Sequence, residues 1–212
     1  NRHLRMLSDC NQALIRTTDE TELLTTVCAI VVQEGGYRMA WVGYAEHDEA
    51  KSVQPVAHAG FEEGYLQSVN ITWADDERGR GPIGAAIRSG RPCLIQNIAS
   101  DPRFASWRLE ATERGYAAVC ALPLTAGDQI LGALGIYSSA LDAFDADEVA
   151  LLSELANDLA FGIAVLRTRA ERNRAEQALR EKTKELDQFF TVTLDLLCIA
   201  DTDGYFHRLN PQ

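Results

Sequence analysis

The pattern Gly79-x-Gly81-x-x-Gly84 is the first feature of this sequence that could bind a cofactor. In a dinucleotide-binding fold, a G-x-G-x-x-G turn follows a buried strand and places the pyrophosphate on the N-terminus of the next helix. Here the pattern follows residues 75–78, which are all charged. The glycines therefore indicate a tight loop before a helix that begins at Pro82, and not a nucleotide fingerprint.

Cysteine and histidine are the residues that could supply nucleophilic, redox or metal-binding groups. The cysteines are odd in number and far apart, with no C-x-x-C pair, so they do not indicate a disulfide framework. A histidine in a predicted strand, such as His58, is more typical of a core or rim residue than of a haem ligand, and we predict no metal site. The cysteines, which we expect to be reduced and mostly buried, are Cys10, Cys28, Cys93, Cys120 and Cys198.

The composition is that of an acidic globular protein. The chain has 212 residues, of which 46% are hydrophobic, and 20 basic and 31 acidic residues give a net charge of −11. An acidic surface disfavours nucleic-acid binding, because phosphate contacts need a basic face. We find no signal peptide and no run of about 18 apolar residues, and therefore expect a cytoplasmic domain without a membrane span. The chain does not begin with Met, so we expect part of a longer protein.

Helices and strands can be predicted from the apolar periodicity. Apolar stripes predict helices over residues 1–16 and 19–34, and Asp19 with Glu22 forms a capping box at the start of the second. Apolar residues occupy both odd and even positions of the predicted strands, so both faces of the sheet must be covered. These strands are residues 38–45, 53–59, 93–96, 117–124 and 129–138.

The middle of the chain, residues 60–115, is rich in loops and short helices. Pro82 opens a helix that Gly90 closes, and a second short helix is predicted over residues 104–114. The terminal helices can cover one face of the sheet, so this segment must cover the other. Short elements packed over a sheet commonly leave a pocket between them.

Residues 145–187 predict one long helix, interrupted by a single glycine, Gly162. Its apolar residues step alternately by three and four, as in a coiled-coil seam, and this seam changes phase between Leu166 and Leu179. Because so long a helix cannot be buried in so small a domain, we expect it to pair with its copy in a homodimer. The residues predicted to form this dimer through the terminal helices are Leu4, Leu7, Leu152, Leu159, Ile163, Leu166, Leu179 and Leu186.

The order of these elements and two motifs resemble the GAF domain. Residues 79–104 read GRGPIGAAIRSGRPCLIQNIASDPRF, similar to the G-x-G-x-x-G-x-A…G-x-P…N-I-x-x-D-P-R-F run of GAF domains in bacterial sensor proteins. Residues 121–136 resemble the family's P-L…x-L-G-x-L-x-I segment. The resemblance covers about residues 5–166. It implies an α+β fold with an antiparallel sheet of five or six strands, terminal helices on one face, and loops and short helices over a pocket on the other.

The tail of the chain resembles the opening quarter of a PAS domain, in particular the run LLCIADTDGYFHRLNP. The two resemblances imply a GAF domain over residues 1–166, a coiled-coil signalling helix over 167–186 and a truncated PAS domain over 187–212. This order is typical of signalling proteins that end in a histidine kinase or in an enzyme of cyclic-di-GMP metabolism. No motif of such an output module occurs in this chain.

The ligands known for the family leave the ligand of this chain open. The sequence lacks the N-K-F…D-E signature of cyclic-nucleotide binders and the adjacent Cys and His of bilin binders, and it offers no haem signature. Aromatic walls with one or two charges suit a small polar or heterocyclic ligand, and we favour Arg80 for recognising an anion or a carbonyl. The candidate pocket residues are Trp41, Tyr44, His58, Trp73, Asp76, Arg80, Phe104, Trp107, Arg108, Cys120 and Tyr137.

Three functions follow from the resemblance. The first is a sensory domain that binds a small molecule and relays the signal through a dimeric helix to downstream PAS and output domains. The second is a dimerisation and relay module without a ligand. The third is a free methionine-R-sulfoxide reductase, a GAF subfamily with a nucleophilic cysteine where this chain has Ile83. Cys93 and Cys120 remain for that chemistry if they approach each other across the pocket.

Overall fold

The computed structural model describes residues 2–192, 198–201, 203 and 205–209. The chain forms two compact units, Asn1–Leu166 and Arg167–Gln212. The helices are α1 (Arg2–Arg16), α2 (Glu20–Gln33), α3 (Tyr65–Ser68), α4 (Pro82–Ser89), a 3₁₀ helix (Pro102–Trp107), α5 (Arg108–Glu113) and α6 (Ala146–Val192). The strands are β1 (Met39–Ala45), β2 (Val53–Gly60), β3 (Cys93–Ile95), β4 (Ala118–Ala126), β5 (Gln129–Ser138), β6 (Cys198–Ala200) and β7 (Phe206–Leu209).

The first unit contains a five-stranded antiparallel sheet in the order β2-β1-β5-β4-β3. The predicted α+β fold is confirmed. Alternate residues of β1 point to opposite faces, so that Ala40 and Val42 pack under the helices while Met39 and Trp41 pack under the loops and short helices. Both faces of the sheet are therefore covered, as predicted.

One face of the sheet is covered by α1, α2 and the first part of α6. The predicted N-cap begins α2, where the Asp19 carboxylate accepts a 2.9 Å hydrogen bond from the Glu22 backbone N–H, which is one of the two bonds of the predicted capping box. Leu152, Leu159 and Ile163 of α6 are fully buried in this core. The stripe predicted to face a second copy therefore packs, at these three positions, against the protein's own sheet and helices. An apolar stripe of this period can pack equally well against a second copy of the chain or against the protein's own core.

Helix α6 also includes an 18-residue window with a mean hydropathy of 1.7, of which 33% is buried. By length and composition alone this window could cross a membrane. Core helices of soluble proteins meet the same criterion, and the buried leucines of α6 lie in the core of the first unit.

The other face of the sheet is covered by the loops and short helices between residues 60 and 115. The predicted helix between Pro82 and Gly90 is confirmed as α4. Gly90 closes it with φ +63°, a left-handed conformation that glycine adopts without strain. The second predicted short helix is a 3₁₀ turn that continues into α5. These elements enclose the candidate site.

The second unit consists of the exposed end of α6 and a small antiparallel hairpin, β6-β7. Ion pairs one helical turn apart line the helix, such as Arg172–Glu176 at 2.9 Å. Leu179 and Leu186 are 68% and 67% exposed. The carboxylate of Asp201 accepts backbone hydrogen bonds from Asp203 and Tyr205. The rest of the predicted PAS segment, residues 193–197, 202, 204 and 210–212, lies outside the described residues.

Candidate functional site

A cluster of aromatic side chains fills the centre of the loop-covered face. Tyr137 of β5 lies in the middle of it, and its ring centroid is 4.8 Å from that of Tyr116, 5.8 Å from that of Tyr65 and 6.5 Å from that of Phe104. Trp107 packs against Phe104 with 5.7 Å between ring centroids. All five side chains are buried. Mutual edge-to-face packing makes this cluster the core under the short helices.

The aromatic cluster encloses a small cavity with a free volume of about 10 Å³. This is room for about one water molecule. No charged side chain is among the lining residues, which are Tyr65, Ile71, Gly81, Pro82, Ile83, Phe104, Trp107 and Tyr137. We refer to this space as the aromatic cavity.

Trp41 packs in the same buried cluster as Ile83 and Tyr137 of the cavity lining, and it also lines an open surface cavity with Val53 and Ile71. Its indole N–H is buried and has no hydrogen-bond partner of regular geometry among the described residues. The side chain is fully buried on β1. A Cβ built on Gly135 would lie 2.6 Å from the indole Nε1 and 2.9 Å from Cδ1 of Ile83, so the indole N–H lies beside the cavity lining. An interaction with the Tyr137 hydroxyl that falls short of hydrogen-bond geometry acts against the rise in the pKa of that tyrosine. A buried donor left unpaired costs on the order of 1–3 kcal/mol.

The tyrosine hydroxyls of the aromatic cluster stay protonated at neutral pH. Burial raises the pKa of Tyr137 to about 12. Burial likewise raises the pKa of Tyr65 and of Tyr116. The Tyr116 hydroxyl donates to the carbonyl oxygen of Phe61, which ties the cluster to the loop before α3. The aromatic cluster is therefore uncharged at neutral pH.

Residues 69–72, which we call the 69–72 wall, separate the aromatic cavity from the surface. The indole Nε1 of Trp107 donates a 2.9 Å hydrogen bond to the carbonyl oxygen of Val69. On the other side the Val53 backbone N–H donates to Ile71 at 3.0 Å, and Thr72 forms an isolated bridge with Ser52. The wall is thus held to the 3₁₀ helix by a side chain and to the edge strand β2 by a few backbone contacts.

Two open cavities of about 370 and 390 Å³ adjoin the 69–72 wall on the protein surface. Both are lined by Val69, Asn70 and Arg78. The aromatic cavity shares Ile71 with the first and Trp107 with the second. One short segment therefore divides three adjacent spaces, two of which have the size of small-molecule sites.

Arginine side chains that bind backbone carbonyls hold the covering loops. Arg88 of α4 donates through Nη1 to the carbonyl oxygens of Trp73, Ala74 and Gly79, at 3.1, 2.7 and 2.6 Å. Arg114 binds the carbonyls of residues 62, 63 and 110. Each of these arginines therefore binds several backbone carbonyl oxygens at once.

Arg108, a predicted ligand contact, also donates hydrogen bonds to backbone carbonyl oxygens. It donates to the carbonyl oxygens of Ile98 at 3.3 Å and Asp101 at 2.9 Å, and so braces the loop before the 3₁₀ helix. This side chain stabilises the site from outside the aromatic cavity.

The tight conformation of the loop over residues 75–80 explains why the G-x-G-x-x-G pattern begins with Gly79. A Cβ on Gly79 would lie 1.8 Å from the carbonyl oxygen of Ala74, so only glycine fits. The Asp76 carboxylate accepts a 2.7 Å hydrogen bond from the Gly79 N–H, which lowers the pKa of Asp76. Arg80 forms an exposed ion pair with Asp75 at 3.1 Å. Asp76 and Arg80 therefore act within this loop and do not line the aromatic cavity.

Tyr44 and Cys120 lie on the opposite face of the sheet, under the helices. The Tyr44 hydroxyl donates to Glu20 of α2 at 2.5 Å. Their prediction as pocket residues is wrong, because the alternation of a strand that points Trp41 toward the pocket must point Tyr44 away from it.

His58 and Trp73 lie at the periphery of the sheet. His58 pairs with Trp41 across β1 and β2 and is exposed. The Trp73 indole N–H donates to the Glu46 carbonyl at 2.8 Å, and its ring packs under Lys51 beside the turn between these strands. Of the predicted pocket residues, the structure brings together Trp41, Phe104, Trp107 and Tyr137.

The cysteines do not meet across the pocket. Cys93 pairs with Ala121, whose side chain lies on the pocket face, whereas Cys120 is buried on the helical face. The approach of Cys93 and Cys120 that the reductase chemistry requires is therefore contradicted. Burial raises the pKa of Cys120 to about 12, which makes it a poor nucleophile.

Sequence reasoning missed Tyr65, Tyr116 and the 69–72 wall. Tyr65 lies in α3, which is four residues long, and Tyr116 follows the loop glycine Gly115. Neither belongs to a periodic stretch. The available signal was composition, because tyrosines inside a polar, loop-rich segment need buried partners for their rings.

Comparison with known proteins places the chain by its fold and family. The family model for the GAF domain matches residues 17–164. No curated protein matches the chain. The GAF domain of a phosphoenolpyruvate-protein phosphotransferase (ptsP) from Coxiella burnetii superposes with a TM-score of 0.67 and 19% identity, over 80% of this chain and 97% of that one.

Two further solved structures superpose over 80% of this chain. Free methionine-R-sulfoxide reductase from Neisseria meningitidis, in complex with its substrate, has a TM-score of 0.65 and 18% identity over 94% of its length. The nlh2 GAF domain of A. aeolicus, in an inactive state, has a TM-score of 0.59 and 15% identity over 97% of its length. At these identities the likeness shows the fold.

Proposed function

Because the chain belongs to the GAF domain family, we propose that it is a sensory domain that binds a small molecule on the aromatic face of its sheet. The observation that carries this proposal is the buried, unpartnered indole N–H of Trp41 beside an aromatic cavity. Structural cores rarely leave such a donor unpaired. A ligand that accepts this hydrogen bond would remove the cost.

A thermal-shift screen of small molecules tests ligand binding. A true ligand raises the melting temperature of the wild type and of Tyr44→Phe, because Tyr44 lies on the helical face. It raises that of Tyr137→Phe less, because Tyr137 lines the aromatic cavity. Equal shifts in the two variants for every compound that binds would contradict this location of the site.

We further propose that the domain dimerises through an exposed apolar face of α1 and α6. Ile15 is 84% exposed and Phe161 70%, and both line a cavity of about 480 Å³ together with Leu14, Gly162 and Val165. The proposed occupant is a second copy of this chain, because a protruding Phe161 and a cavity on the same face are self-complementary about a two-fold axis. This face replaces Leu152, Leu159 and Ile163 as the proposed contact.

The proposed output path is α6, which continues from the core of the first unit into the charged helix of the second. In the full-length protein this helix would carry the signal to a PAS domain and an output enzyme, either a histidine kinase or an enzyme of cyclic-di-GMP metabolism, in the cytoplasm. The change of phase between Leu166 and Leu179 is the proposed two-state element. A series of one-residue deletions there tests it, and unchanged regulation across the series would contradict the relay.

A methionine-R-sulfoxide reductase is the second candidate, since solved structures of that enzyme share the fold. Ile83 is buried in the lining of the aromatic cavity, and no cysteine is among the lining residues that the structure describes. These observations support a regulatory role. Turnover of free methionine sulfoxide that is lost in Cys93→Ser or Cys120→Ser would favour the enzyme instead.

A further inference from the structure

We propose that the aromatic cavity binds a neutral, planar heteroaromatic molecule that carries a hydrogen-bond acceptor, and that this ligand enters when the 69–72 wall separates from Trp107. The inference rests on the proposed sensory function and specifies its ligand and its route of entry. It follows from three independent features of the site: its rings, its free donor and its wall.

The aromatic rings that line the cavity favour a flat and uncharged ligand. The aromatic cavity is walled by Tyr65, Phe104, Trp107 and Tyr137, and no charged side chain is among its described lining residues. An ion transferred into such a site would lose its hydration without gaining a partner of opposite charge. A planar aromatic molecule instead gains offset or edge-to-face contacts with several of these rings.

The indole N–H of Trp41 favours a ligand that carries a hydrogen-bond acceptor. Trp41 is fully buried, and its Nε1 has no hydrogen-bond partner among the described residues. The indole N–H can only donate. Because this N–H lies beside Ile83 of the lining, an aza nitrogen or carbonyl oxygen placed there would complete the missing bond.

The wall explains how a cavity of about 10 Å³ can receive a molecule of that size. Val69 is held to the 3₁₀ helix by the Trp107 indole N–H. When that bond opens, the aromatic cavity joins the two surface cavities of about 370 and 390 Å³. The joined space reaches the range of small-molecule sites.

The three tryptophans of the chain make the proposal measurable, because each indole has a different environment. Among the described residues Trp41 has no hydrogen-bond partner of regular geometry, Trp107 donates to Val69 and Trp73 donates to Glu46. In ¹⁵N-labelled protein the three indole signals are assigned by the Trp→Phe variants. Quinoline, a planar bicycle with one aza nitrogen, serves as the probe, and naphthalene, its isostere without an acceptor, serves as the control ligand.

Quinoline at millimolar concentration should shift the Trp41 and Trp107 signals and leave the Trp73 signal unchanged. It should bind about 2- to 10-fold more tightly than naphthalene, the factor expected of one net hydrogen bond. Trp41→Phe should abolish this preference, and Trp73→Phe should keep it. Trp107→Phe removes the bond to Val69, so quinoline should bind more tightly to that variant.

Three results would overturn the inference. The first is that quinoline leaves the Trp41 indole signal unshifted in both the wild type and Trp107→Phe. The second is that quinoline and naphthalene bind the wild type equally tightly. The third is that Trp41→Phe still binds quinoline more tightly than naphthalene. If a compound of other chemistry binds at Tyr137 in the thermal-shift screen, only this inference fails and the proposed sensory function stands. If no compound binds at Tyr137 in that screen, the proposed function fails with it.

Discussion

The Trp107 indole reaches across the covering loops to bind the carbonyl oxygen of Val69 at 2.9 Å, and both residues are buried. This bond joins the 3₁₀ helix to the wall that separates the aromatic cavity from the surface. It is a side-chain bond at a place where the backbone provides few others, so a single substitution tests it.

Replacing Trp107 with Phe should loosen the 69–72 wall. The smaller ring loses the donor and leaves a void, so the free energy of unfolding should fall by about 1 kcal/mol for the bond, with a further loss for the void. Hydrogen exchange of the backbone amides of residues 69–72 should quicken, as measured by mass spectrometry. Trp73→Phe is the matched control, since it removes an indole–carbonyl bond outside the cavity. Unchanged exchange in Trp107→Phe would show that other contacts hold the wall.

Replacing Arg88 with Ala should free the loop over residues 73–79. The side chain binds three carbonyl oxygens of that loop, and its loss should cost about 1–2 kcal/mol, since bonds to charged donors are stronger than neutral ones. Urea unfolding measures the change. Arg80→Ala removes an exposed ion pair and should leave stability nearly unchanged. Equal effects of the two substitutions would contradict the bracing role of Arg88.

The buried tyrosines predict a loss of stability in alkaline solution. The pKa of Tyr137 is raised from 10 to about 12, so the folded protein holds this proton more tightly than the unfolded chain does. The stabilisation is complete below pH 10 and is lost as the pH rises from 10 towards 12. Urea unfolding between pH 8 and 11.5 should show a shallower decline in Tyr137→Phe than in the wild type. Parallel declines would contradict the raised pKa.

Charge placed on the apolar face of α1 and α6 should produce monomers. Phe161→Glu puts a carboxylate in the proposed interface, where it would be buried without a partner. Sedimentation velocity should show a dimer for the wild type and a monomer for this variant. Leu109→Glu is the control, because Leu109 of α5 is 67% exposed outside that face. A wild-type monomer, or a Phe161→Glu dimer, would contradict the proposed interface.

The elements of the fold could be predicted because each depends on local chemistry. The Asp19–Glu22 cap, the helix from Pro82 to Gly90 and the apolar strands follow from capping, proline geometry and periodicity. The same alternation separates Tyr44 from Trp41, and a stricter use of it would have removed Tyr44 from the predicted pocket.

The partners of an apolar stripe could not be predicted from its period. Leu152 and Leu159 show the spacing of a coiled-coil seam and are buried against their own domain, because the period says that a face is covered and not which chain covers it. The roles of Arg80 and Arg108 were likewise out of reach. Whether an arginine meets a ligand or a loop carbonyl depends on where the loops pass, and no local pattern encodes that path.

Native mass spectrometry of the purified chain, compared with its denatured mass, tests the central claim that this domain binds a small molecule in the aromatic cavity. The account predicts a discrete extra mass on the native protein after incubation with a compound from the thermal-shift screen. That adduct should persist in Tyr44→Phe and be lost or reduced in Tyr137→Phe. An adduct equally retained by both variants, or none with any compound of the screen, would contradict the claim.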